Sequence, residues 1–274
     1  MKLSYFIKQK EELAKEKKLE IDAISYLIKN YFFDNVSDYY LALNEEFDKE
    51  DELNKITSLY LDSLKPVQYI LGYTYFLGLK IKVNENVLIP RRETEEVTLK
   101  AIELINKMVS PNVLDLCTGS GAIAISIRKM TKAVVTASDI SNLALEVAKE
   151  NAIINNTSIN FLESDLFNSI NDKFDLIISN PPYLSEKDKK LMSPIVYKNE
   201  PNIALFASDN GLYYYKKILD EALNYLKNDK YLVLEIGDDE KDSIILYAKS
   251  KYPNIEYQAY NDMQNKNRIL IFKF

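Results

Sequence analysis

Near residue 65 the chain changes its hydrophobic rhythm. Up to about residue 64, apolar residues recur every three or four positions, as in YFIKQKEELAKEKK, EIDAISYLIKNYFF and DKEDELNKITSLYLDSL. That is the period of an amphipathic helix. No glycine precedes Gly72 and no proline precedes Pro66, so a small helical bundle (residues 1–64) with charged outer faces and short polar joints is predicted. Residues 65–90, KPVQYILGYTYFLGLKIKVNENVLIP, are dominated by Tyr, Phe, Ile and Val, with Gly72, Gly78 and Asn84 at turn positions. They predict strands, arranged as a hairpin linking two domains. Helical spacing returns in RRETEEVTLKAIELINKM, where Thr94 is a candidate N-cap or first-turn residue.

From residue 112 the pattern alternates. NVLDLC, AVVTASDI, INFLESD, FDLIISN and KYLVLEIG read as strands, with helical segments such as GAIAISIRKM, NLALEVAKENAII, GLYYYKKILDEALNYLK and DDEKDSIILYAKSK between most of them. Alternation at this spacing predicts an α/β domain with a mostly parallel sheet and helices on both faces. IEYQAYN and KNRILIFKF close the chain with only a short connection, so the last of seven strands is predicted to enter antiparallel.

Composition narrows the function classes. The chain of 274 residues is 47% hydrophobic, enough for a sizeable core, yet no apolar run approaches the roughly 18–20 residues of a membrane span. The N-terminal MKLSYFIKQKEELAKEKK is charged throughout and has no signal-peptide apolar core. The single cysteine, Cys117, permits no internal disulfide. A cytoplasmic protein without a membrane partner is expected. There is no histidine, so the commonest general base and metal ligand are missing, and neither Ser-His-Asp hydrolysis nor a metal site is expected. A net charge of −6 and a pI of about 5.1 give no sign of the basic face that duplex binding requires.

Open α/β sheets bind ligands at the carboxyl ends of their strands, and four such ends carry candidate chemistry. In VLDLCTGSGAIA the strand runs into Cys117-Thr118-Gly119-Ser120-Gly121, a glycine turn that lets the backbone approach a ligand closely. Its spacing fits a dinucleotide-type fingerprint and equally a plain tight turn. Cys117 is a buried spacer beside that loop. Asp139 closes the next strand 20 positions after Gly119, where a carboxylate can accept both hydroxyls of an adenosine ribose. A helix cap is the competing role, for which Ser141 is as good a candidate. Asp165, after the third strand, is placed to meet an adenine amino group, with Leu166 and Phe167 as covers for the ring. The fourth end is the stiff corner Asn180-Pro181-Pro182-Tyr183, directly after FDLIIS and about 60 residues past the glycine loop.

This combination resembles the class I S-adenosylmethionine-dependent methyltransferases, Rossmann-like enzymes whose amino-methylating members carry Asn/Asp-Pro-Pro-Tyr/Phe after the fourth strand. The resemblance implies S-adenosyl-L-methionine as cofactor, S-adenosyl-L-homocysteine as product, and a planar target nitrogen. Such a nitrogen is a poor nucleophile because its lone pair is delocalised. The Asn180 side-chain oxygen and the Pro181 carbonyl are expected to accept its two N–H protons, with Tyr183 stacked on its plane. Two prolines fix φ near −65° and restrict their predecessors, which keeps the acceptors from relaxing away.

Further stretches are similar to the release factor glutamine methyltransferases: PVQYILG (66–72), VLIPRRETE (87–95), EPNIALFASDNGLYYY (200–215) and LEIG (234–237). That family methylates the glutamine amide of the Gly-Gly-Gln motif in class I peptide chain release factors. The resemblance implies a helical domain (1–64) that docks the release factor, a β-hairpin linker (65–90) and a catalytic domain (91–274). It also implies Arg91 and Glu93 in a substrate-binding wall, and a monomer without direct nucleic-acid contact. Two positions depart from the family pattern: Arg92 replaces a proline, and Leu166 stands where some members carry tryptophan. The competing assignments are a DNA adenine N6-methyltransferase, which uses the same corner, and a non-catalytic cofactor-binding clamp.

Overall fold

Apolar residues three and four apart form the core of the N-terminal helices α1 (Leu3–Glu16), α2 (Asp22–Phe32), α3 (Val36–Ala42) and α4 (Glu50–Leu61). Leu3, Phe6, Ile7, Ile24, Leu27, Ile28, Leu53 and Ile56 meet in one cluster. Asn35 caps α3, its side-chain oxygen accepting from the Asp38 N–H at 2.9 Å. The structure, a computed structural model, describes residues 1–274, the side chains of Asn228 and Asp229 excepted. It divides into two units, residues 1–73 with 193–199, and residues 74–192 with 200–274.

Residues 65–90 differ from the all-strand expectation. Val67–Leu71 is a helix, α5. Pro66 precedes it with φ −54°, and Gly72 closes it at φ +78°, donating its N–H to the Gln68 carbonyl at 2.8 Å. Burying Val67 and Tyr69 between these two stops outweighs the β-propensity of the local sequence. Only β1 (Tyr73–Phe76) and β2 (Leu79–Lys82) form the hairpin. From Thr74 onward this hairpin belongs to the second unit.

The second unit continues through α6 (Arg92–Ile105), β3 (Asn112–Leu116), α7 (Ala122–Met130), β4 (Val134–Asp139), α8 (Asn142–Ile154), β5 (Asn160–Glu163) and β6 (Phe174–Ser179). Next come α9 (Pro194–Asn199), which belongs to the first unit, and α10 (Asn202–Leu205). The chain ends with α11 (Tyr213–Tyr225), β7 (Leu226–Glu235), α12 (Lys241–Lys251), β8 (Glu256–Asn261) and β9 (Asn267–Lys273). The hairpin is fastened within its unit. The buried Asn151 of α8 accepts from the Lys82 N–H at 2.6 Å and donates to the Lys82 and Ser120 carbonyls, each at 2.9 Å.

The seven-stranded sheet has the order β5-β4-β3-β6-β7-β9-β8. β3 to β7 pair in parallel, whereas β9 runs antiparallel to both β7 and β8. Every residue of β6 is buried, as expected of a central parallel strand covered on both faces. Asp175, within that strand, accepts from Lys227 Nζ at 2.6 Å and from the Asn112 N–H at 2.9 Å. The chain moves outward from β3 to β5 and then crosses back to β6, so the sheet reverses its order between β3 and β6. Ligand crevices of open α/β sheets form at such a reversal. Among the described residues no helix is long and apolar enough to cross a membrane.

Candidate active site

A pocket enclosing about 940 Å³, open to solvent, lies at the carboxyl ends of β3, β4 and β6. Cys117, Thr118, Gly119, Ser120, Asp139, Asp165, Leu166, Asn180, Pro182 and Arg91 all line it. The sequence had separated these residues by up to about ninety positions; the order reversal brings them together.

The glycine loop is braced from beneath. Thr118 Oγ1 donates to Asp115 Oδ2 at 2.6 Å. Asp115 is fully buried, and burial pushes its carboxyl up to about 7. A Cβ on Gly119 (φ +53°) would meet no heavy atom within 4 Å. Its backbone therefore stands open to the pocket. Gly121 (φ +79°) lines no part of the pocket. A Cβ there would lie 3.1 Å from that of Ala148, so this glycine serves the close packing of the loop against α8. Cys117 adopts φ +60° where β3 ends. Burial and the nearby Asp139 push its thiol well up, which makes it a spacer and not a nucleophile.

Asp139 is not the cap of α8. Ser141 caps that helix, accepting from the Ala144 N–H at 3.2 Å. The Asp139 carboxylate accepts from the Gly119 N–H at 2.8 Å through Oδ2 and from the Ser141 N–H at 2.9 Å through Oδ1. A carboxylate has about four acceptor positions, so acceptor capacity remains for a ligand hydroxyl. Burial raises its carboxyl pKa, and these backbone donors oppose that rise.

At the corner, Asn180 Nδ2 donates to Thr94 Oγ1 at 3.3 Å. The opposite, oxygen end of the amide is the one left for a ligand. Arg91 Nη2 donates to Glu200 Oε1 at 2.6 Å, and Glu200 Oε2 accepts from the Ile89 N–H at 3.1 Å. Both oxygens of this buried glutamate are thus used to tie two pocket-lining segments together.

Besides Gly121, four more expected site residues lie elsewhere. Phe167 is buried in the core and stacks on Tyr225, centroids 4.5 Å apart and planes 8° apart. The physical reason is at Leu166, whose φ of +46° turns the chain so that Leu166 takes the pocket and Phe167 the core. Pro181 is buried and is not among the residues that line the pocket. Tyr183 packs against the core under the sheet end, where its hydroxyl accepts from Arg268 Nη1 at 3.5 Å. Burial and the Glu235 carboxylate push that hydroxyl's pKa up. Tyr183 is not among the residues that line the pocket. Glu93 also lies outside the lining and faces Glu235.

The residues that sequence reasoning missed include Ile140, Tyr214 and Val87, which line the pocket, and the pairings of Thr94 with Asn180 and of Glu200 with Arg91.

The open glycine backbone, a doubly braced Asp139, Asp165 at the rim and apolar Ile140 and Leu166 suit an adenosine-type ligand. The methyltransferase small domain family matches residues 95–201. A methyltransferase from Pyrococcus furiosus has a similar structure, with a TM-score of 0.56 at 20% identity over 72% of this chain and 89% of that one. The release factor glutamine methyltransferase of Lactococcus lactis subsp. lactis is 38% identical over 93% of this chain and 90% of its own. That of Streptococcus pneumoniae is 36% identical over 99% of this chain and 98% of its own. With such identity spread over nearly the whole of both chains, this protein belongs to the release factor glutamine methyltransferase family.

Proposed function

We propose that the chain methylates the side-chain amide nitrogen of the glutamine in the Gly-Gly-Gln motif of class I peptide chain release factors, in the cytoplasm and as a monomer. As a family member it is an S-adenosylmethionine-dependent methyltransferase. The observation that carries the substrate assignment is Asn180: a pocket-lining amide held by its nitrogen end, with an acceptor left for a planar N–H group.

Gly119, Asp139, Asp165, Ile140 and Leu166 would hold the cofactor. Bound S-adenosylmethionine supplies an electrophilic methyl on a sulfonium and leaves as S-adenosylhomocysteine. The chain's own part is positioning. Asn180 Oδ1 and the Pro181 carbonyl accept the two N–H protons of the target amide, which fixes its plane and pushes electron density onto nitrogen. Orientation of this kind contributes several kcal/mol to a bimolecular step. The adjacent prolines keep both acceptors from turning away. Pro182, Val87 and Leu88 line the pocket with apolar surface. Neither acceptor is a base at neutral pH, so the displaced proton passes to water.

The helical unit is the proposed docking element for the release factor. It exposes Val36, Tyr40 and Leu41 on α3.

Labelled methyl transfer to purified release factor, with duplex DNA present as competitor, tests the assignment. Label on the Gly-Gly-Gln glutamine is expected. Label on DNA adenine instead, or on neither, overturns it.

A further inference from the structure

A ring of contacts closes on the Asn180 corner. Asn180 Nδ2 donates to Thr94 Oγ1 at 3.3 Å. Thr94 lies in the first turn of α6, whose N-cap is Arg91. Arg91 Nη2 donates to Glu200 Oε1 at 2.6 Å. Glu200 is followed by Pro201 and by α10, which ends at Leu205. The Leu205 carbonyl accepts from the Leu184 N–H at 2.9 Å, and the Leu184 carbonyl accepts from the Ala207 N–H at 2.8 Å. From Leu184 the backbone leads through Tyr183, Pro182 and Pro181 back to Asn180. Arg91, Thr94, Asn180, Pro182, Pro201 and Ala204 of this ring line the pocket.

The pieces of the ring are stiff and its joints are few. One helical turn carries Arg91 and Thr94 together, and two prolines fix φ along the corner. The joint at Glu200 is the strongest of those that cross between segments. The side chain is 1% exposed, and its Oε2 accepts from the Ile89 N–H at 3.1 Å. Both oxygens therefore face donors, one of them charged. Charge-assisted hydrogen bonds are about twice as strong as neutral ones. Taking one partner from a buried ion pair also leaves the other uncompensated. With Glu200 lost, the start of α6 and the segment 200–207 are no longer joined at this point.

We infer that Glu200 is a positioning residue for methyl transfer. By closing the ring it fixes the start of α6, hence Thr94, and hence the direction in which Asn180 presents its oxygen. The same closure holds Leu184 at the far end of the corner. This rests on the proposed reading that Asn180 grips a planar N–H target. Glu200 does not itself line the pocket; it acts through Arg91 and Ile89 and exchanges no proton in the reaction.

Single-turnover methyl transfer to a release factor at saturating S-adenosylmethionine, with cofactor affinity measured by calorimetry, tests the ring. Glu200→Gln keeps the length of the side chain but offers two donors only one acceptor, so Ile89 or Arg91 is left facing an N–H group. The step is expected to slow about tenfold, with cofactor affinity within about twofold of wild type. Arg91→Met opens the same joint from its more exposed side and is expected to slow the step similarly, also if Glu200→Gln fails to fold. Arg91→Lys keeps the charge and a donor and is expected to recover most of the rate. Combining Glu200→Gln with Arg91→Met is expected to cost no more than the slower single change, because both cut one joint. Without substrate, NMR is expected to show the Leu184 and Ala207 amide protons exchanging faster in Glu200→Gln than in Lys227→Met. The latter removes an ion-pair partner of Asp175 at the opposite end of β6 and controls for general destabilisation. A wild-type rate in Arg91→Met or in Glu200→Gln, additive costs in the double variant, a loss of cofactor affinity as large as the loss of rate, or no exchange contrast overturns the inference. If the exchange contrast appears and the wild type leaves release factor unmethylated, the ring stands and the glutamine target falls.

Discussion

The two units bury different things. Among the described residues of the helical unit, Thr57 is the one buried polar side chain, and it bonds its own helix at the Leu53 carbonyl. The α/β unit buries Asp115, Asp175, Glu200, Glu235 and Asp262, together with Asn151 and several hydroxyls. Buried carboxylates are expensive unless paired. Three of these are paired with arginine or lysine. Among the described residues Asp115 and Glu235 form no ion pair; Asp115 instead accepts from Thr118 at the glycine loop, and Glu235 closes β7. The first unit spends its interior on cohesion. The second gives up part of that cohesion to hold polar groups in fixed directions.

The contrast breaks most sharply at Asn180. Asn180→Ala should fold and bind cofactor nearly as wild type, while methyl transfer falls on the order of 10²–10³-fold, by analogy with a lost oriented donor in an active site. Asn180→Asp keeps an acceptor oxygen and should retain more activity than alanine. Single-turnover rates at saturating cofactor measure both, and an alanine variant as fast as wild type ends the proposed role of the corner. Next in size is Asp139→Ala. Losing a charge-assisted partner of the ribose should weaken S-adenosylmethionine binding about 10- to 100-fold by calorimetry. It should also loosen the Gly119 loop that Asp139 braces.

A smaller effect concerns stability. Asp115 and Glu235 hold their protons more tightly folded than unfolded. Their contribution to stability is present below the ordinary carboxylate range and is lost as pH rises through about 7. Glu235→Gln cannot titrate, so its unfolding free energy relative to wild type should increase between pH 5 and pH 8. Denaturant titrations at the two pH values check this; a constant difference removes Glu235 from the linkage. The smallest expected change is on the helical unit. Tyr40→Ser combined with Leu41→Ser, both exposed, should raise KM for intact release factor a few-fold. It should leave KM for a short Gly-Gly-Gln peptide unchanged, a split that steady-state kinetics resolves.

Legibility in the sequence followed the same division. The helical unit could be read from spacing alone because its interior is apolar, as at Leu3, Phe6 and Ile7 or Leu53 and Ile56. The order of strands and helices in the second unit was equally plain, and the carboxyl-end rule picked out Asp139 and Asn180, which line one pocket. What failed was direction within loops. Nothing local in LESDLF says that a positive φ at Leu166 sends Phe167 into the core, or that Tyr183 turns back toward Arg268. Pairings such as Arg91 with Glu200, or Asn199 with the Leu64 carbonyl, join residues more than a hundred positions apart. No periodicity encodes them. The helix at Val67–Leu71 was missed because two stop residues, Pro66 and Gly72, also punctuate strands.

The segment Ser193–Asn199 gives the helical unit an unusual permanence. The chain leaves that unit after Tyr73, returns for these seven residues and leaves again. Ile195 packs into the helical core, and Asn199 Nδ2 donates to the Leu64 carbonyl at 2.8 Å. A cut between residues 73 and 74 is therefore expected to leave the N-terminal fragment held, because α9 of the other piece packs with it. For the same reason, a gene trimmed to its catalytic part would strand these residues without their packing partners. The helical unit is interleaved with the rest of the chain and not simply appended to its start.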